Sequence, residues 1–234
     1  MHSSKENLQV LYEDNHLIVI NKRIGDIVQG DKTGDKPLSD VVKEYLGTKY
    51  NKPGKVFLGV THRLDRPTSG IVVFAKTSKA LERLNKMFRE KSIEKTYWAL
   101  VEGSPDAGET TLIHFLKKNP KNNKSSAFSK ESADTKKAVL HYKTLLSLDR
   151  YSLLEINLET GRHHQIRCQL SVSGYPIKGD LKYGSKRSNK NGGIYLHAAK
   201  IKFIHPVKKE ELIIKATVPE DELWQLTQSK LVKN

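Results

Sequence analysis

The sequence predicts an α+β fold, built on a mixed, mostly antiparallel, curved sheet with helices on its flanks. Strand-like segments outnumber helical ones, and several strands are joined by short turns rather than by helical crossovers. The 234 residues, 37% of them hydrophobic, suffice for one large core or two closely fused lobes. We therefore expect a single domain over residues 9–234, preceded by a flexible tail over residues 1–8.

The first part of the chain alternates short apolar runs with turn residues. It predicts strands at residues 9–13, 17–21 and 56–60, with one helix from Leu38 onward. Ser39 or Asp40 is the expected N-cap of this helix, and Gly47 is expected to end it.

The rest of the chain continues the same alternation. Further strands are predicted at residues 71–76, 96–102, 110–116, 138–148, 151–158, 194–204 and 212–218. Helices are predicted after a cap at Thr77 or Ser78, at residues 163–172 and at residues 220–231.

The pattern breaks down over residues 117–137, which contain seven lysines and two acidic residues. We predict an irregular loop here. It is either a solvated surface segment or a segment that grips phosphate. Residues 183–193 form a second basic loop, which is rich in glycine.

The charge balance points to an anionic partner. Lys and Arg total 41 against 26 acidic residues, which gives a formal charge of +15 and a pI near 9.7. Nucleic acid is the first candidate, an acidic membrane surface the second, and a merely soluble basic protein the third. No apolar run reaches the length of about 18 residues that a membrane span needs. Cys168 is the only cysteine, which excludes an internal disulfide and a zinc site of paired cysteines.

One crowded turn is a candidate for catalysis. Asp65 stands between Arg63 and Arg66, and Pro67 and Gly70 interrupt any regular element around it. Most aspartates in turns only bind backbone N–H groups. A catalytic carboxylate, however, needs a rigid turn at the edge of a sheet, and such a turn is predicted here.

Two further residues have a structural and a functional interpretation. Tyr97 falls in an apolar strand, where it is either a core tyrosine or a platform on which a base stacks. Arg167 is either a surface arginine on a helix or a partner of Asp65. In the second case it would lower the pKa of that carboxyl by about 1–3 units.

Other chemistries find no support in the sequence. The candidate metal ligands are His62, His163, His164 and His197, but no carboxylate or cysteine stands at a recognised ligand spacing from them. Neither a G-x-x-x-x-G-K-[ST] loop nor a G-x-G-x-x-G fingerprint is present. We therefore expect no metal and no cofactor.

Several motifs follow one another along the chain. The central ones are HRLDRPTSGIVVFAKT, EKTYWALVEG and LETGRHHQIRCQL. They are followed by GYPIKGDLKYG, YLHAAKIKFIHP and IKATVPEDE. Together they resemble the motifs of the RluA-type pseudouridine synthases, with order and spacing kept from about Val10 to about Leu223.

The resemblance implies an isomerase that converts specific uridines of structured RNA, ribosomal or transfer, into pseudouridine. It implies a central RNA-binding cleft, in which the target base is flipped out of its stack. RNA is the expected partner, the cytoplasm the expected compartment and a monomer the expected state. About nine residues precede the first predicted strand, so we expect no appended N-terminal RNA-binding domain.

The resemblance also implies roles for four residues. Asp65 is the catalytic carboxylate, which either attacks the ribose or assists its deprotonation. Tyr97 stacks on the uracil, and Arg167 pairs with Asp65 and orients it. Arg63 helps to displace the target base.

Two alternatives from other classes stay open at this point. One is an RNA-binding protein that has the fold but no catalytic activity. The other is a hydrolase that cleaves the glycosidic bond, although no second acid that would activate water is evident beside Asp65.

Overall fold

A computed structural model describes residues 2–31 and 33–233, with side chains as far as residue 231. It divides into two compact units. The first consists of Met1–Lys95 and Ala198–Pro219, and the second of Thr96–His197 and Glu220–Asn234. The single domain and the flexible tail expected from the sequence stay predictions. Within that tail, the Ser3 backbone N–H donates to the Asp26 carboxylate at 3.0 Å.

The described residues form eleven strands and four helices. The strands are β1 (Val10–Glu13), β2 (Leu17–Lys22), β3 (Gly59–Val60), β4 (Ser69–Ala75), β5 (Glu94–Glu102), β6 (Glu109–Asn119), β7 (Lys124–Phe128), β8 (Lys136–Ser147), β9 (Tyr151–Leu158), β10 (Leu196–Ile204) and β11 (Glu211–Lys215). The helices are α1 (Leu38–Lys49), α2 (Ser78–Arg89), α3 (Gln165–Val172) and α4 (Glu222–Lys233), with a short 3-10 helix at Leu181–Tyr183. The predicted α+β class is confirmed.

Strands β2 and β4 form the centre of the first unit. They pair antiparallel, and every residue of both is buried. Strand β1 extends the sheet beyond β2. On the other side of β4, both β3 and β10 pair with β4, and β11 pairs with β10. The near-continuous apolar sequence of the two central strands explains this burial, because strands covered on both faces have no polar side.

Helix α1 begins differently from the prediction. Its N-cap is Pro37, and both Ser39 and Asp40 lie inside the helix. The N–H groups of Leu38 and Ser39 donate to the carbonyls of Ile27 and Val28 at 2.7 and 3.2 Å. Because the preceding loop satisfies these first-turn donors, no side-chain cap is needed.

The end of α1 also differs, whereas the start of α2 follows the prediction. Gly47 does not end α1, which continues to Lys49 and is capped by Tyr50, whose N–H donates to the Leu46 carbonyl. At α2, the Thr77 hydroxyl accepts a hydrogen bond from the Ala80 N–H at 3.2 Å, as the sequence predicts for a capping threonine.

The second unit contains five antiparallel strands in the order β5-β9-β8-β6-β7. The prediction of an irregular loop over residues 117–137 is wrong. Strand β6 continues to Asn119, β7 pairs with it, and β8 begins at Lys136. Strands β6 and β7 form a hairpin in which most side chains are polar and partly or fully exposed. The sequence of this hairpin therefore lacks the apolar alternation by which strands are predicted.

Helices and a small apolar cluster complete the second unit. Helix α3 packs against β6 and β7, and α4 packs against β8. Leu116, Ala138, Cys168 and Tyr183 form a buried cluster there.

Among the described residues, no helix has the length and apolar character required to cross a membrane.

A buried carboxylate ties β1 to α1 and β4. Glu13 accepts hydrogen bonds from Lys49 at 2.7 Å, Lys76 at 2.8 Å and the Tyr50 hydroxyl at 2.6 Å. Burial opposes its ionisation, but these donors prevail and lower the pKa of Glu13 to about 2. The carboxylate therefore stays ionised at all but strongly acid pH.

The first prediction concerns Gly70, whose φ of +110° and close approach to β10 both require glycine. A Cβ atom there would lie 2.4 Å from the Ala198 oxygen and 2.5 Å from its nitrogen. We expect Gly70→Ala to lower the free energy of unfolding by at least about 2 kcal/mol, measured by urea denaturation. Gly30→Ala is the control, because nothing lies within 4 Å of that site. Equal urea midpoints for the two variants would contradict the prediction.

The second prediction concerns acid stability. Because the pKa of Glu13 falls from 4.5 to about 2 on folding, its ionisation stabilises the fold above pH 4.5, and this contribution is lost as the pH falls toward 2. We expect Glu13→Gln to be less stable near neutrality and to lack this part of the pH dependence. Thermal melts across this range measure both effects. Glu44→Gln, at an exposed pair with Lys36, should melt like the parent.

Candidate active site

Asp65 lies in the loop that joins the antiparallel strands β3 and β4. The Thr68 N–H donates to the Asp65 carbonyl at 3.0 Å, which closes a tight turn over residues 65–68. The Asp65 side chain is half-buried, and the strand that follows is wholly buried. Asp65 is therefore carried by a hydrogen-bonded turn that leads directly into a buried central strand.

A buried lysine supports this turn. Lys22 ends β2 and is only 1% exposed. Its ammonium donates to the carbonyls of Arg23 at 2.9 Å, Asp26 at 2.8 Å and Arg66 at 3.2 Å. An ammonium has three protons, so three carbonyls satisfy it completely. Burial lowers the pKa of Lys22, whereas the charges of Asp26 and Asp65 raise it and favour the ammonium.

The two arginines beside Asp65 have different environments. Arg66 binds Asp35 at 2.7 Å and the Thr33 hydroxyl at 2.8 Å, which ties the turn to the loop before α1. Arg63 is exposed and, within the described residues, makes no hydrogen bond or ion pair. Arg66 is thus a structural group, while Arg63 is available to a ligand.

His62 fixes the approach to the turn. Its Nε2 accepts the Val73 N–H at 3.0 Å, and the Thr61 hydroxyl donates to the Val73 carbonyl at 2.6 Å. Its ring packs against Phe88 at 4.9 Å. Burial and then the charge of Lys95 lower the pKa of His62 to about 3, so the imidazole is neutral with its proton on Nδ1.

Arg167 is buried, so its interpretation as a surface arginine is wrong. Its Nε and Nη2 donate to the two Asp180 oxygens at 2.6 and 2.9 Å, and the side chains are 6% and 1% exposed. This bidentate pair fixes the plane of the guanidinium. Asp180 was not identified from the sequence, although it is the only acidic residue between Glu159 and Glu210.

Tyr183 joins Arg167 to β7. Its ring centroid lies 5.0 Å from the Arg167 guanidinium carbon, and its hydroxyl accepts the Ser125 N–H at 2.8 Å. The same hydroxyl contacts His164 Nδ1 at 2.9 Å. Burial raises the pKa of Tyr183 to about 12, so it stays a neutral phenol. Sequence reasoning missed this residue too.

The four predicted site residues divide between the two units. Asp65 and Arg63 belong to the first, while Tyr97 and Arg167 belong to the second. Tyr97 lies on β5 opposite Ile156 and is 8% exposed, so it is a buried tyrosine. The catalytic and substrate-binding roles of these four residues stay predictions.

Residues suited to metal or thiol chemistry are few. In the parts of the chain that the structure describes, no group of three or more His, Cys, Asp and Glu side chains is placed to hold a metal ion. Burial raises the pKa of the Cys168 thiol to about 11, so this cysteine is protonated and a poor nucleophile.

The third prediction concerns the buried ion pair in the second unit. Asp180→Asn keeps the shape of the side chain but leaves the Arg167 charge buried without its carboxylate. We expect the free energy of unfolding to fall by about 3 kcal/mol, measured by urea denaturation. Asp134→Asn removes one partner of an exposed pair with Lys117 and should leave the urea midpoint close to that of the parent. A midpoint for Asp180→Asn equal to that of the control would contradict the prediction.

Comparison with known proteins places this chain in a family. Residues 16–172 match the family described as RNA pseudouridylate synthase. The chain is 31% identical to tRNA pseudouridine synthase C of Vibrio parahaemolyticus, over 93% of this chain and 92% of that protein. It is 33% identical to ribosomal large subunit pseudouridine synthase D of Zymomonas mobilis, over 92% and 70% of the two chains.

The fold agrees with solved structures. Human RNA Pseudouridylate Synthase Domain Containing 4 has a TM-score of 0.78 to this chain at 24% identity, with 95% and 93% of the two chains covered. Human RNA Pseudouridylate Synthase Domain Containing 1 has a TM-score of 0.71 at 22% identity. The resemblance seen in the motifs is therefore confirmed. The chain belongs to the RNA pseudouridylate synthase family, is of the RluA type within it, and is an isomerase that makes pseudouridine in RNA.

Proposed function

We propose that this enzyme isomerises uridines of structured ribosomal or transfer RNA, with Asp65 as its catalytic carboxylate. The observation that carries the proposal is the way the turn of Asp65 is built. The buried Lys22 side chain, bonded to three carbonyls, and the buried strand β4 support the turn that carries the half-buried Asp65 carboxylate. The names of two relatives, one a transfer RNA enzyme and one a ribosomal RNA enzyme, support both substrate classes.

The reaction breaks the bond between ribose C1′ and uracil N1 and forms a bond between C1′ and C5. Asp65 either bonds to C1′ as the bond to N1 breaks and leaves C1′ when C5 bonds there, or it removes a ribose proton and later returns it. In both cases the base is detached while the site retains it. After the base has rotated, C5 bonds to C1′ and loses its proton, and N1 gains one. Atoms and electrons balance without an oxidant or reductant, since the reaction is an isomerisation.

Three residues assist in this proposal. Tyr97 stacks on the detached uracil, which an aromatic face can hold in either orientation. Arg167 pairs with Asp65 and orients it, supported by the bidentate bond that Asp180 makes to the same guanidinium. Arg63 enters the space that the flipped base leaves, which is consistent with its exposure and its lack of a partner in the described residues.

The basic surface supplies binding energy for RNA but does not discriminate between RNA sequences. Flipping a base costs a few kcal/mol, which phosphate contacts and stacking must offset. The formal charge of +15 provides such contacts, and the β6–β7 hairpin with its flanking segment concentrates them. The lysines of this region are Lys117, Lys118, Lys121, Lys124, Lys130, Lys136 and Lys137. Binding should therefore weaken steeply with salt.

We also propose that residues 9–234 act as one catalytic domain, as a monomer in the cytoplasm. The single cysteine, which is buried, suits a reducing compartment. Size-exclusion chromatography with light scattering tests the monomer, and a dimer mass would overturn it.

The fourth prediction concerns Asp65. We expect Asp65→Asn to reduce pseudouridine formation by at least about 10³-fold, because the reaction loses its carboxylate, while RNA affinity stays within about threefold. Tritium release from RNA labelled at uridine C5 measures turnover, and filter binding measures affinity. Asp106→Asn, at an exposed loop aspartate, is the control and should release tritium like the parent.

The same assay separates the alternatives. Tritium release from the parent supports the synthase. Free uracil would identify a glycosidic hydrolase, and neither product would identify a binding protein. Full turnover by Asp65→Asn would remove Asp65 as the catalyst.

A further inference from the structure

Lys95 stands out among the lysines of the first unit. It lies near the start of β5, two residues before Tyr97, and is half-buried. Alternate residues of a strand project from the same face, so Lys95 and Tyr97 share one side of β5. The proposed reaction assigns no role to this lysine.

The Lys95 ammonium lies beside the segment that leads into Asp65. It is 5.9 Å from the centre of the Phe88 ring, whose other neighbour is the His62 ring at 4.9 Å. His62 precedes Asp65 by three residues in the same loop. The charge of Lys95 reaches this segment, because it contributes to lowering the pKa of His62.

The fold gives Lys95 no anionic or carbonyl partner. Within the described residues its ammonium makes no hydrogen bond and no ion pair. By contrast, Lys22 is satisfied by three carbonyls and Lys76 by the Glu13 carboxylate at 2.8 Å. Burial lowers the pKa of Lys95 because it disfavours the charged form. A half-buried cation kept in this condition costs stability that a bound anion would recover.

We propose that Lys95 is a positioning residue that binds a phosphodiester group of the RNA strand next to the uridine on which Asp65 acts. This inference rests on the proposed function. Phosphate is the anion that every nucleotide of the substrate carries, and an ammonium serves it as a compact point charge. Since phosphate contacts set the register of a nucleic acid on its protein, Lys95 would place the strand rather than read its sequence.

The test compares Lys95→Met and Lys95→Arg, each in the Asp65→Asn background so that no RNA is converted. The probe is a synthetic RNA hairpin with uridines in its loop. A matched series carries an uncharged methylphosphonate at each loop phosphate in turn. Filter binding across a salt series gives Kd and the salt slope. Lys79→Met is the control, because Lys79 is an exposed lysine on α2 of the same unit.

We expect Lys95→Met to weaken binding by about ten- to a hundredfold, as for the loss of one charged hydrogen bond. The salt slope should fall by about 0.7, the value for one phosphate of a single strand. At one loop position, the methylphosphonate should weaken RNA binding by the parent about as much as Lys95→Met does. The same methylphosphonate should hardly change RNA binding by Lys95→Met. Lys95→Arg should bind within about threefold of the parent, because it keeps the charge. Lys79→Met should leave the methylphosphonate pattern unchanged.

Stability separates this role from a structural one. Because the ammonium makes no hydrogen bond or ion pair in the described residues, Lys95→Met should unfold at a urea midpoint equal to or above that of the parent. The inference is overturned if Lys95→Met binds RNA like the parent, or if no methylphosphonate position distinguishes the two proteins. It is also overturned if no methylphosphonate in the series weakens binding by the parent. Tritium release by the active enzyme is independent of these results, so Asp65 can keep its role when Lys95 loses its own.

Discussion

The buried ammonium of Lys22 is the constraint on which the candidate site depends. It binds carbonyls from two stretches of chain that are far apart in sequence, at residues 23–26 and at Arg66. The bond to the Asp26 carbonyl is buried and the other two are partly buried, so loss of the donor would leave these carbonyls poorly satisfied. The turn of Asp65 can therefore move only if the loop after β2 moves with it. The fold thus supports the turn of Asp65 through main-chain atoms, which cannot rotate away as side chains do.

The protein separates its charges into two groups. Structural charges are paired inside, as with Glu13 and Lys76 or Arg167 and Asp180. Arg63, which we propose contacts the substrate, is exposed and makes no hydrogen bond or ion pair in the described parts of the fold. A basic protein that binds RNA gains from this division, because a lysine already paired with a carboxylate has little affinity left for phosphate.

The apolar pattern predicted the fold class and most of its strands, and the order of the motifs predicted the family. The buried strands β2 and β4 match their predictions within two residues, because continuous apolar runs have few other solutions. Strand β7 was missed because only Ala127 and Phe128 of its five residues are apolar, and because its register depends on pairing with β6. Asp180 and Lys95 were missed for a related reason. Their significance arises from contacts, or from the lack of them, between residues distant in sequence.

The hairpin of β6 and β7 has a further consequence for the protein without RNA. In the second unit β7 is the last strand of the order, so one of its edges pairs with no strand in the described part of the chain. An apolar edge of this kind would recruit a strand from another molecule and start aggregation. The sequence of β7, KSSAF, places the exposed Phe128 at this edge, but Lys124 and the lysines on either side of the strand add positive charge. Repulsion between the lysines of two such edges opposes their pairing, and so offsets the exposed phenylalanine.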